Sequence, residues 1–106
     1  MNDVKKVSDI TASDLADYLR LDEVDASDTN TLNTLLMVAK VFVGEYTGHT
    51  IQELDDYKDI VIVVLILVQD MWDNRTLYVD KSNLNKVVES ILGLHSVNLL
   101  PRVEND

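Results

Sequence analysis

The sequence contains no cysteine, only three glycines and one proline, and few aromatic residues. The absence of cysteine excludes disulfides and thiolate metal sites. Because glycine and proline are scarce and 46% of the residues are hydrophobic, the composition is typical of a folded, mostly helical chain and not of a disordered one. A length of 106 residues suits one domain over 1–106. We expect residues 1–9 and 101–106 at its ends to be flexible.

Basic residues are also few. Nine lysines and arginines stand against nineteen aspartates and glutamates, which gives a net charge of -10. Binding to DNA needs clustered basic residues that displace phosphate counterions, and the one basic pair is Lys5-Lys6. The charge therefore argues against tight nucleic-acid binding. An acidic surface would instead repel phosphate and let a duplex pass without adhering.

The chain has one long hydrophobic run, nine apolar residues from Ile60 to Val68. A membrane span needs about 20 such residues, and Asp59 and Asp70 bracket the run, so we expect no membrane contact. The first ten residues lack the apolar segment of a signal peptide, which predicts a cytoplasmic location. Valine and isoleucine favour a strand. Apolar residues continue at helical spacing towards Arg75, however, so we predict a central apolar helix at about 57–75.

Capping motifs and hydrophobic periodicity divide the rest of the chain into further helices. Thr11 with Asp14 forms a short capping box, and Thr50 with Glu53 opens one helical turn. We predict helical segments over residues 12–21, 28–46, 51–54 and 84–92, with Gly48 and Gly93 as stops and Asn83 or Asn85 as the last N-cap. The predicted fold class is all-α, a small helical domain of four main helices plus one short helical turn.

Four acids lie within seven residues between the first two helices: Asp22, Glu23, Asp25 and Asp28. A calcium loop of the EF-hand type would need oxygen ligands at alternating positions and a glycine at its sharp turn. Val24 or Leu32 falls where a ligand should be, and the segment has no glycine. We interpret it as a solvated linker whose acids cap the next helix.

The sequence offers little for catalysis. It has no glycine-rich phosphate loop and no G-x-S-x-G motif, and His49 and His95 sit apart with no metal-ligand spacing. Asp70 and Asp73, one helical turn apart, suit an acid pair or a metal in principle. We interpret them as solvated residues that pair with nearby basic side chains. We expect no enzymatic activity, no cofactor and no metal.

Five residues near the end of the central helix and near the C-terminus are candidates for an interface: Trp72, Arg75, Val97, Leu99 and Leu100. Trp72 is typical of a packing residue. Arg75 either caps its helix or pairs with a carboxylate across a subunit boundary. The apolar segment 97–100 has no helical period, so it must pack on its own domain or on a neighbour.

The order of these segments resembles the head-tail connector (adaptor) family of long-tailed bacteriophages and prophages. The likeness runs from about residue 9 to residue 100 and rests on a combination of segments, none specific alone. They are TASDLADYLRLD at 11–22, the acidic linker, FVGEYTG at 42–48, MWDNR at 71–75 and VVESIL at 87–92.

The resemblance implies a structural virion assembly protein and not an enzyme. Members of this family form a ring, typically twelve-fold, between the portal and the tail-completion (stopper) proteins, and DNA passes through the ring. The implied location is the virion neck, with the host cytoplasm during assembly. Such a homo-oligomer uses two different faces of each subunit, so we expect a neighbour to cover part of the apolar run or its Trp72 end.

The charge adds two expectations and leaves one alternative open. Asp22, Glu23, Asp25 and Asp28 are our candidates for acids that line the DNA channel. Ten excess negative charges per copy would make a free ring repel itself, so we expect a monomer until a portal templates the ring. The alternative is a small acidic helical regulator or interaction module, which mimics DNA or binds a basic host protein.

Overall fold

The computed structural model describes residues 6–97, and within this range the chain is helical with no strand. Four main helices and one short helical turn make up the fold, as the sequence predicts. They are α1 (Ala12–Leu19), α2 (Ala26–Thr47), α3 (Ile51–Leu54), α4 (Asp59–Asn74) and α5 (Lys86–His95). Two short 3-10 turns, Val7–Asp9 and Lys81–Asn83, precede α1 and α5. The described residues contain no helix with the length and hydropathy needed to cross a membrane.

Side-chain caps fix where three of the helices begin. In each capping box, the N-cap side chain and the side chain three positions later bond each other's backbone N–H. The three pairs are Thr11 with Asp14, Asp25 with Asp28, and Thr50 with Glu53. Helix α2 therefore begins two residues earlier than predicted, because Asp25 and not a later residue supplies the cap.

The last helix has one of its two predicted N-caps and ends later than predicted. The Asn85 side chain accepts from the Val87 N–H, so Asn85 and not Asn83 is the N-cap. The helix continues through Gly93 to His95. Gly93 is exposed, and a Cβ added there would meet no atom within 4 Å. On this helix Val87 is 52% exposed, whereas Val88 and Leu92 are buried.

Helix α4 forms the centre of the core and packs against α1, α2 and α5. Eight of its residues are buried: Ile60, Val61, Val63, Val64, Leu65, Leu67, Val68 and Met71. Its own chain does not enclose it on every side, because Ile62 is 49% exposed and Ile66 is half-buried. These two residues are one helical turn apart and so share a face.

The residues directly before α1 pack on the domain and hydrogen-bond to it, although we expected them to be flexible. Val7 is fully buried, and the backbone N–H and hydroxyl of Ser8 donate to the two carboxylate oxygens of Asp55 at 3.0 and 2.7 Å. Val7–Asp9, within the range 1–9 that we expected to be flexible, thus pack on the domain. Residues 1–5 and 101–106 lie outside the described residues.

Candidate interaction surfaces

Trp72 and Arg75 lie together in a groove of about 460 Å³ between the end of α4 and the start of α2. Trp72 is half-buried and packs against the core, as predicted. Arg75 ends α4 in the left-handed conformation, at φ 57°, and its backbone N–H donates to the Trp72 carbonyl. Residues 6–97 give its exposed guanidinium no hydrogen bond or ion pair.

Val97, the first of the three C-terminal interface candidates, lies beside the end of α2. The Val97 N–H donates to the Thr47 carbonyl at 2.8 Å, and the Val97 side chain is 43% exposed. This bond satisfies one of the last carbonyls of α2, which lack a partner within the helix. Leu99 and Leu100 lie outside the described residues.

The acidic linker divides into two pairs with different surroundings. The Asp28 N–H donates to Asp25 at 2.8 Å and the Asp25 N–H to Asp28 at 3.4 Å, so this pair caps α2, as predicted for the linker. Asp22 and Glu23 are exposed, and the described chain offers their side chains no hydrogen bond. Of the four candidate channel acids, only these two have no capping role.

Asp70 and Asp73 do not form the expected surface ion pairs. Among residues 6–97, no lysine or arginine lies in ion-pair contact with either carboxylate, and no group of acidic, histidine or cysteine residues is placed to hold a metal. Partial burial, followed by the charge of Asp73, raises the pKa of Asp70. The two aspartates thus repel each other, and no lysine or arginine among the described residues pairs with either carboxylate to offset this repulsion.

The two histidines, predicted to sit apart, belong to one cluster. His95 Nε2 lies 2.8 and 2.9 Å from the two oxygens of Asp59, which can only accept, so this nitrogen carries the proton. The Tyr57 ring stacks on His95 with centroids 4.2 Å apart. His49 Nε2 lies 2.8 Å from the His95 carbonyl, and its Nδ1 lies 3.3 Å from Glu53.

This cluster, His49, Glu53, Tyr57, Asp59 and His95, fastens the end of α5 to the corner between α3 and α4. Hydrogen bonds from the Thr50 backbone, and then from His49, lower the pKa of Glu53. The contacts of the cluster join α3, α4 and α5 and so position these helices. The contact between the histidines spans 46 residues of sequence, and no local spacing signals it.

Apolar side chains exposed on the surface fall mainly into two groups. The first lines a groove of about 440 Å³ between α2 and the segment 77–81. We define this α2 groove by its exposed walls, Met37, Val41, Leu77 and Tyr78, by its floor of Val38, Phe42 and Val79, and by Glu45 and Lys81 at its rim. Met37 and Val41 lie off the buried stripe of α2, which is the sequence signal for the groove.

The second group, which we define as the α5 ridge, consists of Val87, Ile91 and Leu94, with Val97 just beyond the helix. Val87 is 52%, Leu94 75% and Val97 43% exposed, and Ile91 is half-buried. Spacings of four and three residues place the helical members on one face. Single exposed apolar residues are normal on a soluble protein, but contiguous ones mark interaction sites. The described chain therefore carries two groups of exposed apolar side chains, one on α2 with the segment 77–81 and one on α5.

Comparison with protein-family models, with curated proteins and with solved structures found no match to this chain.

Proposed function

We propose that this protein is a structural assembly protein, a head-tail connector whose copies join head to tail into a ring. The observation that carries the proposal is the pair of different apolar surfaces, the α2 groove and the α5 ridge. A cyclic ring needs two distinct faces on each subunit, whereas a two-fold dimer needs one self-complementary face. The all-α fold agrees with the family that the sequence resembles.

In the proposed ring, each copy sits between the portal and the tail-completion (stopper) proteins, in the virion neck. Twelve copies, the usual number in that family, would carry their negative charge around a bore through which DNA passes without adhering. Asp22 and Glu23, exposed and free of capping contacts, are the first candidates to line it. The assembly has no catalytic step and needs no cofactor.

Further side chains have a place in the proposed ring. Arg75, which has no partner among residues 6–97, is positioned to pair with a carboxylate of an adjacent subunit. A neighbour also covers the exposed face of α4 at Ile62 and the Trp72 end of that helix. Val97, bonded to the Thr47 carbonyl at the end of α2, is the described residue of the segment 97–100, which we propose to dock on a neighbour or the portal.

Electron microscopy of the purified protein, alone and mixed with the portal protein encoded in the same genome, tests the proposal. We expect rings with a central channel in the mixture, stacked on the portal. Like-charge repulsion between free copies leaves single subunits in the preparation without portal. Single copies in both preparations would contradict the proposal and favour an acidic module that binds a basic protein.

A further inference from the structure

We propose that the α5 ridge of one copy seats in the α2 groove of the next, and that this contact closes the ring. The inference rests on the proposed function, because it assigns the two faces that a head-to-tail ring requires. It is carried by the shape, spacing and charge of surfaces that lie within the described residues.

The shapes of the two surfaces fit a common mode of recognition. An amphipathic helix docks into an apolar groove through side chains at spacings of three, four and seven residues. Val87, Ile91 and Leu94 have this spacing, and Leu94 at its end is 75% exposed. The groove offers an apolar floor between the walls of α2 and Leu77 with Tyr78, both more than 60% exposed.

The charges at the two surfaces allow acidic copies to meet there. The rim of the groove has one acid and one base, Glu45 and Lys81. The exposed side of α5 likewise has one of each, Lys86 and Glu89. Each surface thus has exposed charges of both signs on a chain of net charge -10, which reduces the like-charge repulsion that docking must overcome.

Neighbouring groups hold both surfaces in place before docking. The contact of His95 with Asp59 and the stacking on Tyr57 fix the end of α5 beside Leu94. On the other surface, the 3-10 turn at Lys81–Asn83 is closed by Asp80, whose carboxylate accepts from Ser82 and Asn83. Preorganised surfaces lose little conformational entropy on association.

A mixing experiment tests this pairing. The groove variant carries Val41→Glu and Leu77→Glu, and the ridge variant carries Val87→Glu and Leu94→Glu. Each changes only side chains that are more than half exposed, so circular dichroism should show unchanged helix content. Val24→Glu, at an exposed apolar residue outside both surfaces, is the matched control.

At a salt concentration that lets the wild-type protein associate without its portal, we expect each variant alone to remain single in analytical ultracentrifugation. An equimolar mixture of the two variants should stop at dimers, because only one intact groove and one intact ridge remain to pair. The Val24→Glu control should assemble like the wild type.

The other outcomes distinguish a failure of the contact between groove and ridge from a failure of the connector proposal. Rings formed by both variants would overturn the pairing and leave the connector proposal standing. Dimers formed by the ridge variant alone would also overturn it, since they would show groove packed on groove. No ring from the wild type, with or without its portal, would overturn the proposed function together with this inference.

Discussion

Asp25 has a defined structural role at the start of the longest helix. Its side chain accepts from the Asp28 N–H, and the reciprocal bond completes the capping box of α2. Asp22, three residues earlier in the same acidic linker, is exposed and has no such bond among the described residues. Residues of one charge in one short segment therefore differ in what they contribute to the fold.

Asp25→Ala should destabilise the protein by about 1 kcal/mol, because the N–H groups at the start of α2 lose their side-chain acceptor. In a domain of this size, this change lowers the melting temperature by roughly 4–8 °C. Asp22→Ala is the control and should change stability by less than about 0.5 kcal/mol. Equal effects of the two substitutions in thermal melts would contradict the capping role.

Asp55 connects the start of the described chain to α3. Burial alone would raise the pKa of Asp55, but hydrogen bonds from the Ser8 hydroxyl and backbone, with the charges of Lys6 and Lys40, lower it overall. The native state therefore holds this proton less tightly than the unfolded state, whose value is near 3.8. The carboxylate stabilises the fold above that pH, and the contribution is lost as the pH falls through the lower native pKa.

Asp55→Ala should cost about 1 kcal/mol at neutral pH, because two hydrogen bonds to Ser8 are lost. The difference in melting temperature between wild type and variant should shrink as the pH is lowered from 7 to below 3.8. Melts across this range, recorded by circular dichroism, measure it. A difference that stays constant with pH would show that the charge of Asp55 is irrelevant to the contact.

At the scale of elements, the His95 cluster decides where α5 ends and how firmly it is held. His95→Asn should loosen the last turn of α5, because it loses both the contact with Asp59 and the stacking on Tyr57. His95→Phe keeps a ring beside Tyr57 and loses only the hydrogen bond, about 1 kcal/mol. We expect amide hydrogen exchange at Leu92 and its neighbours to speed up most in the asparagine variant. Equal exchange in both variants would mean that stacking adds nothing.

Local signals in the sequence predict most of the helices, because caps and periodicity act over a few residues. The boxes at Thr11 and Thr50 and the cap at Asn85 lie where these signals place them. Errors occur where a local rule has two solutions. The Asp25 cap starts α2 at Ala26 and not at residue 28, and Gly93 stays helical although glycine often ends a helix.

The surfaces are harder to predict, since they join residues that are distant in sequence. The α2 groove exists only because the segment at Leu77 and Tyr78 lies beside Met37 and Val41. The pairing of His49 with His95 likewise depends on how α5 crosses the end of α2. Spacing alone also does not predict which side chains are buried. Tyr46 has the spacing of a core residue on α2 and is 41% exposed.

At the scale of the whole molecule, charge and apolar surface act in opposite directions. A net charge of -10 makes free copies repel one another, while the groove and the ridge favour contact. Salt screens the repulsion over about 10 Å at 0.1 M ionic strength and acts little on apolar contacts. We expect the free protein to be a monomer at low salt and to associate more strongly as salt is added. Light scattering across salt concentrations measures this, and a stable ring at low salt would contradict it.

Every subunit of the proposed ring makes the same head-to-tail contact, so the mass of the assembly shows whether the ring closes. Twelve chains of 12.0 kDa give a ring of about 144 kDa. Native mass spectrometry of the complex with the portal, followed by release of the connector, should give one discrete mass of closed rings near this value. A monomer or a two-fold dimer as the only species would contradict the account.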